Sequence, residues 1–262
     1  MNFGKKINIF FESLKITLKE LFEFKANLYS TLIVQLPYYF AFGTFTYIFF
    51  KNFADVVGWS LGDILIFIGC TSIIHLFTGL FFWGKRLGNM LPRGDLNLFL
   101  IRPISPIYLF ILRTLNYSVM LFMFFNCLLL IGFLFYLEIV PDLFFIFIFV
   151  LLCVLSGLSG LLIDSLEFYM LGLGNIIFKF YDTAAVTTKN FPGDLFKDLK
   201  FSFVFLLFQG YYVSIVLVPY LRGVPAFNFI YETIVLISLV IILFSLLIFN
   251  WKRGLKTYEA YG

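Results

Sequence analysis

Seven apolar runs of near-spanning length, parted by short polar breaks, constrain this chain more than any other feature. They lie at about 28–50, 61–83, 107–136, 143–163, 168–181, 201–220 and 226–249. A helix needs about 20 apolar residues to cross a bilayer. Lipid offers the backbone no hydrogen-bond partners, so an apolar run of this kind folds as a helix. Composition agrees: 13% of the residues are charged, against roughly 25% in a soluble domain. The longest polar stretch of the first two-thirds has 22 residues, well below the ~50 of a separate domain. The expected fold is an all-α polytopic membrane protein. The net charge of +4 is scattered over loops, which does not fit nucleic-acid binding.

That polar stretch, 84–105, carries Lys85, Arg86, Arg93 and Arg102 against one acid, Asp95. A basic loop between two spans is cytoplasmic by the positive-inside rule. Leu91-Pro92-Arg93-Gly94 reads as a turn, Asp95 as an N-cap, and Leu96 to Ile101 as a short helix stopped by Arg102-Pro103. A short helix held between two long ones suits the transfer of a push from a soluble partner into the membrane.

Residues 1–27 form an expected interfacial helix. Ile7, Phe10, Phe11, Leu14, Leu18, Leu21 and Phe22 recur at helical spacing, with lysines flanking or opposing them. Those lysines can reach lipid headgroups, each contributing about 1 kcal/mol. The N-terminal charges are interleaved with apolar residues, which does not fit a cleavable signal.

The region 28–250 is the expected transmembrane domain, and 251–262 a basic tail with Lys252, Arg253 and Lys256. Both ends read as cytoplasmic, so the number of crossings is even and one of the seven runs does not cross. The segment 201–223 is the choice, because it holds Gln209, Gly210 and Pro219 and fits a re-entrant hairpin. Six spans remain. Twelve basic residues then lie inside, and Lys51, Lys189, Lys197, Lys200 and Arg222 outside.

Isolated polar residues in the spans keep two readings. His75 is a proton relay or a packed imidazole, with no acid in its own segment beyond Asp63. Lys179 and Asp182, three apart, read as a pair on one helix face. Ser156 and Gly160, four apart, allow close helix approach. Cys70, Cys127 and Cys153 lie in apolar runs without paired spacing, and are read as buried thiols.

Several motifs resemble the permease subunits of type-2 ATP-binding-cassette (ABC) exporters, and within them a branch of small stand-alone bacterial and archaeal permeases. They are Gly94-Asp95-Leu96 with Leu100-Ile101-Arg102-Pro103-Ile104-Ser105-Pro106; Phe191-Pro192 with Pro219, Arg222 and Gly223; and the ending from Trp251 to Glu259. The start of the fifth span departs from the branch, with Glu167-Phe168-Tyr169 where a Phe-Trp pair is expected. The resemblance implies separate ABC ATPase subunits and a second permease chain, identical or related, in the cell membrane. It implies that Lys85, Arg86, Arg93, Asp95, Leu98 and Arg102 couple the permease to the ATPase. It further implies outward movement of a hydrophobic or amphiphilic cargo.

The chain has no G-x-x-x-x-G-K-[ST] phosphate loop and no H-E-x-x-H or paired-cysteine motif. No enzymatic activity, cofactor or metal is expected of it, and no residue stands out as substrate-binding. Two other classes stay open. An ion-gradient transporter needs buried acids and broken helices in repeated halves. A lipid-modifying enzyme needs a polar cluster, for which Asp164 and Glu167 are the one candidate pair.

Overall fold

The computed structural model describes residues 58–82, 87–102, 104–114, 117–190, 193 and 208–258, with scattered positions among the first 48. Those positions, from Asn8 to Ile48, are all helical, and Lys19 pairs with Glu23 one turn on at 3.6 Å. The rest of the interfacial helix 1–27 and of the first span 28–50 lies outside the described residues.

Among the described residues all regular structure is helical. The order is α1 Leu61–Phe82, α2 Leu87–Met90, α3 Asn97–Leu100, α4 Pro106–Thr114, α5 Tyr117–Tyr136, α6 Leu143–Ser165 and α7 Leu173–Asn190. It continues with α8 Gln209–Tyr212, α9 Val218–Leu221 and α10 Ile230–Thr257. Four of these helices are long and apolar enough to cross a membrane: α1, α5, α6 and α10. They fall on four of the expected runs, α5 starting at Tyr117 within 107–136 and α10 running past 249 to Thr257.

The core forms where α1 and α6 cross. Phe67, Leu152 and Leu155 there are fully buried. Ser156 makes the close approach its spacing predicts: its Oγ bonds the Ile74 carbonyl at 3.1 Å and the Thr78 hydroxyl. Asp142, in extended backbone, starts α6 by accepting the Phe145 N–H at 3.0 Å, which satisfies one of the orphan donors of a helix N-terminus.

From residue 208 the expected re-entrant stretch is one continuous helical run. α8 leads into a wide π-helical turn, Val213–Leu217, and then α9, with Pro219 in its first turn. Tyr212, Val213, Val216, Leu217 and Val218 are at most 1% exposed, so this run is enclosed by protein. Its far end is pinned twice. Arg222 donates to Asp63 of α1 at 2.6 Å and lies over Trp59, and the Tyr220 hydroxyl donates to Asp142 of α6. Gly223, at φ +93°, then turns the chain toward α10.

Three expectations are corrected. Asp95 is not the cap of the short helix: Leu96 holds that position with helical backbone and no side-chain bond. The approach from a tight turn leaves Asp95 inside the turn, where its carbonyl accepts the Leu98 N–H at 3.2 Å. Lys189, expected among the outer-loop cations, lies on a helix, because α7 runs on to Asn190. Lys189 therefore sits beside Thr71, whose hydroxyl bonds the Lys189 carbonyl at 3.2 Å, and not in an outer loop. Packing against α1 and α6 lets a polar helix lie where lipid would reject it. Finally, Asp182 faces His75, at 3.9 Å, and feels Lys189, in place of the expected pairing with exposed Lys179.

Candidate functional site

The two ends of the bundle differ in chemistry. One end gathers Trp59, Asp63, Asp142 and Arg222. The other carries the 87–102 segment, and it holds the residues singled out from the sequence. Lys85 and Arg86 lie outside the described residues. Arg93 and Arg102 are exposed and Asp95 is half-buried. Leu98 is 49% exposed, Leu100 44% and Ile101 79%. Three apolar side chains, within the four residues from Leu98 to Ile101, thus face outward between two arginines.

What fixes this stretch is the other side of the same turn. Leu87, Leu96 and Phe99 are at most 2% exposed, and Met90 and Leu91 are also buried. They join Phe110, Leu158, Leu161, Leu247 and Trp251 in one apolar cluster. Burial of side chains this size contributes about 1.5–3 kcal/mol each, enough to hold a helix of four residues that has no stability of its own. The alternation of buried and exposed positions follows helical spacing: 96 and 99 inward, 97, 98, 100 and 101 outward.

The seat beneath is built from residues whose role was not read from sequence. Trp251 is 4% exposed and touches Phe110 at 5.4 Å and Phe168 edge-on at 5.3 Å between ring centres. Phe168 sits in the 3-10 turn Leu166–Phe168 after α6. Gly254 lets α10 close onto it: a Cβ there would stand 2.4 Å from the Phe168 ring. Trp251 and Gly254 are three residues apart on α10, but their shared partner Phe168 is distant in the chain.

Asp164 and Glu167 are also here, 3% and 2% exposed. Asp164 Oδ2 accepts the Leu87 N–H at 3.1 Å, at the start of α2. Glu167 Oε2 accepts the Gly172 N–H at 2.6 Å, closing the turn into α7. Both acids satisfy backbone donors, a structural task for the pair singled out from sequence. No group of three or more His, Cys, Asp or Glu that could hold a metal occurs among the described residues.

The arrangement as a whole is an anchored plate: a rigid underside tied to α2, α4, α6 and α10, and an outer face with an apolar centre and a cationic rim. A model of the family described as ABC-2 family transporter protein matches residues 31–262. No curated protein and no solved structure matches the chain.

Proposed function

Since the chain belongs to the ABC-2 transporter family, we propose that it is half of a membrane pathway driven by a separate ABC ATPase subunit to export a hydrophobic or amphiphilic molecule. The chain itself hydrolyses no ATP. A second permease, identical or related, completes the pathway. The topology is six spans with both termini and the 84–105 loop in the cytoplasm, a re-entrant 201–223 segment, and α7 as the fifth span.

One observation carries the coupling role: the outward row Leu98, Leu100 and Ile101, rimmed by Arg93 and Arg102, on a helix held rigidly from behind. An apolar centre with a charged rim is the anatomy of a protein interface. The ATPase receives this face. Closure of the ATPase on ATP presses the plate, and the plate moves α1 and the α4–α5 arm that flank it. The test is recovery of the ATPase on the tagged chain. Leu98→Asp and Arg93→Glu change exposed positions, so the fold stays intact while the retained ATPase falls by about tenfold or more. A wild-type chain that recovers no ATPase, or variants that retain it fully, defeats the proposal.

The ion-gradient reading has one observation in its favour, the His75–Asp182 approach between two long helices. Uptake into vesicles separates the readings: export here requires ATP and proceeds without a proton or sodium gradient.

A further inference from the structure

Past Phe249, helix α10 changes chemistry without changing direction. Its outward side carries Ile242, Ser245, Leu246 and Phe249, all exposed, and then Lys252, Arg253 and Lys256, exposed as well. Seven residues make almost two full turns, so positions seven apart stack in one line. Ile242, Phe249 and Lys256 form one such line, Ser245 and Lys252 a second, and Leu246 and Arg253 a third. Each line runs from apolar or small residues into a cation, and together they cover about a third of the helix circumference. The buried residues of α10, Leu236, Leu247, Trp251 and Gly254, lie on the opposite side.

The depth suits a lipid headgroup. About 20 residues of helix fill the hydrocarbon layer, and counted from Ile230 they end near Asn250. The three cations stand just beyond. Helical side chains lean toward the N-terminal end of their helix, which here is back toward the lipid. The helix itself does not neutralise them. No acid occurs between Glu232 and Glu259, and among the described residues none pairs with these cations. Attraction to the helix dipole is confined to the last turn, which holds Lys256 but neither Lys252 nor Arg253. Like charges four apart on a helix repel one another, and an anion shared among them removes that cost.

We propose that this side of α10 seats an anionic phospholipid, its acyl chain along Ile242, Leu246 and Phe249 and its phosphate among Lys252, Arg253 and Lys256. The guanidinium takes the phosphate through paired N–H donors, and the ammonium groups act as point charges. A zwitterionic lipid brings the same phosphate with a choline cation attached, which the three charges repel. The site needs a bilayer around α10 and no ATPase, so it stands or falls apart from the coupling role.

The test uses the full chain in nanodiscs of phosphatidylglycerol and phosphatidylcholine in equal parts. Phe249, an exposed position, is replaced by its photoreactive benzoyl analogue, and the lipid captured on illumination is identified by mass spectrometry. Phosphatidylglycerol adducts exceed phosphatidylcholine adducts by roughly tenfold. Lys252→Gln, Arg253→Gln and Lys256→Gln together bring the two adducts level, whereas Lys252→Arg with Lys256→Arg keeps the preference. Arg93→Gln with Arg102→Gln leaves it unchanged, since those cations lie off the strip. High salt narrows the preference without any variant, because exposed charges are screened. Level adducts in the unneutralised chain, a preference that ignores salt, or one that survives the triple neutralisation overturns the proposal. So does a preference lost equally on neutralising Arg93 and Arg102, which makes it a property of overall surface charge. Capture of a second copy of the chain in place of lipid assigns the strip to a protein interface and overturns it too.

Discussion

Glu167 owes its place to two glycines. A Cβ at Gly88 or at Gly174 would stand 2.9 Å from the Glu167 side chain, and at Gly174 also 2.9 Å from the Ile163 carbonyl. The acid fits because both neighbours lack side chains, and its turn closes because Gly172 accepts φ +85°. At the opposite end of the bundle Asp142 does comparable work in the open. The Phe145 N–H and then the Tyr220 hydroxyl hold its carboxyl below the usual carboxylate range. A lowered folded-state pKa adds stability above the unfolded value, near 4, and that stability is lost as pH falls through the lowered one. Asp142→Asn should therefore melt below the wild type at neutral pH, with the gap closing as the pH drops below about 4. Thermal unfolding followed across pH reads this directly, and a gap independent of pH would show that the carboxylate charge plays no part.

Helix α10 was legible as a span but not as a seat. The apolar run ends near Phe249, so the basic residues after it read as a tail, yet the helix continues to Thr257 and buries Trp251 beneath the coupling loop. Hydropathy registers lipid exposure and is blind to one aromatic side chain turned back toward protein. The short helix α3 shows the reverse. Its existence and its stop at Arg102-Pro103 follow from local chemistry, while its capping residue was misplaced because the preceding turn supplies backbone bonds in place of a side chain. Replacing Trp251 with Ala should cost about 3–5 kcal/mol and free the loop above it. Hydrogen exchange over 87–100 should quicken in Trp251→Ala, although no loop residue has changed. Unaltered exchange there would separate the end of α10 from the coupling face.

Across the whole molecule, alternation of the long helices puts the loop at 87–102, the turn at 166–172 and the end of α10 on one side, and Asp63, Glu138, Asp142 and Arg222 on the other. A membrane-impermeant maleimide should label Asn97→Cys and Lys256→Cys from the same face and Glu138→Cys from the opposite one. Inside-out and right-side-out vesicles make the comparison, and Asn97→Cys labelled from the cell exterior would invert the topology. Sequence carried the four strongest spans because each is apolar over its full length. It did not carry the course of α7, whose polar residues from Thr183 to Asn190 look like a loop until the helix is seen to pack against α1, α6 and α8. The same blindness hid the partner of His75, which lies more than a hundred residues away at Asp182.

At 28 residues, α10 is about 42 Å long, whereas the hydrocarbon layer is about 30 Å thick. Unless the helix tilts steeply, its last turns stand clear of the lipid as a stiff stalk, braced at the base by the tilted Phe110 ring and the edge-on Phe168 ring against Trp251. A small rigid domain spliced onto that stalk in helical register would inherit its orientation, giving electron microscopists a landmark on a particle otherwise lost in its micelle.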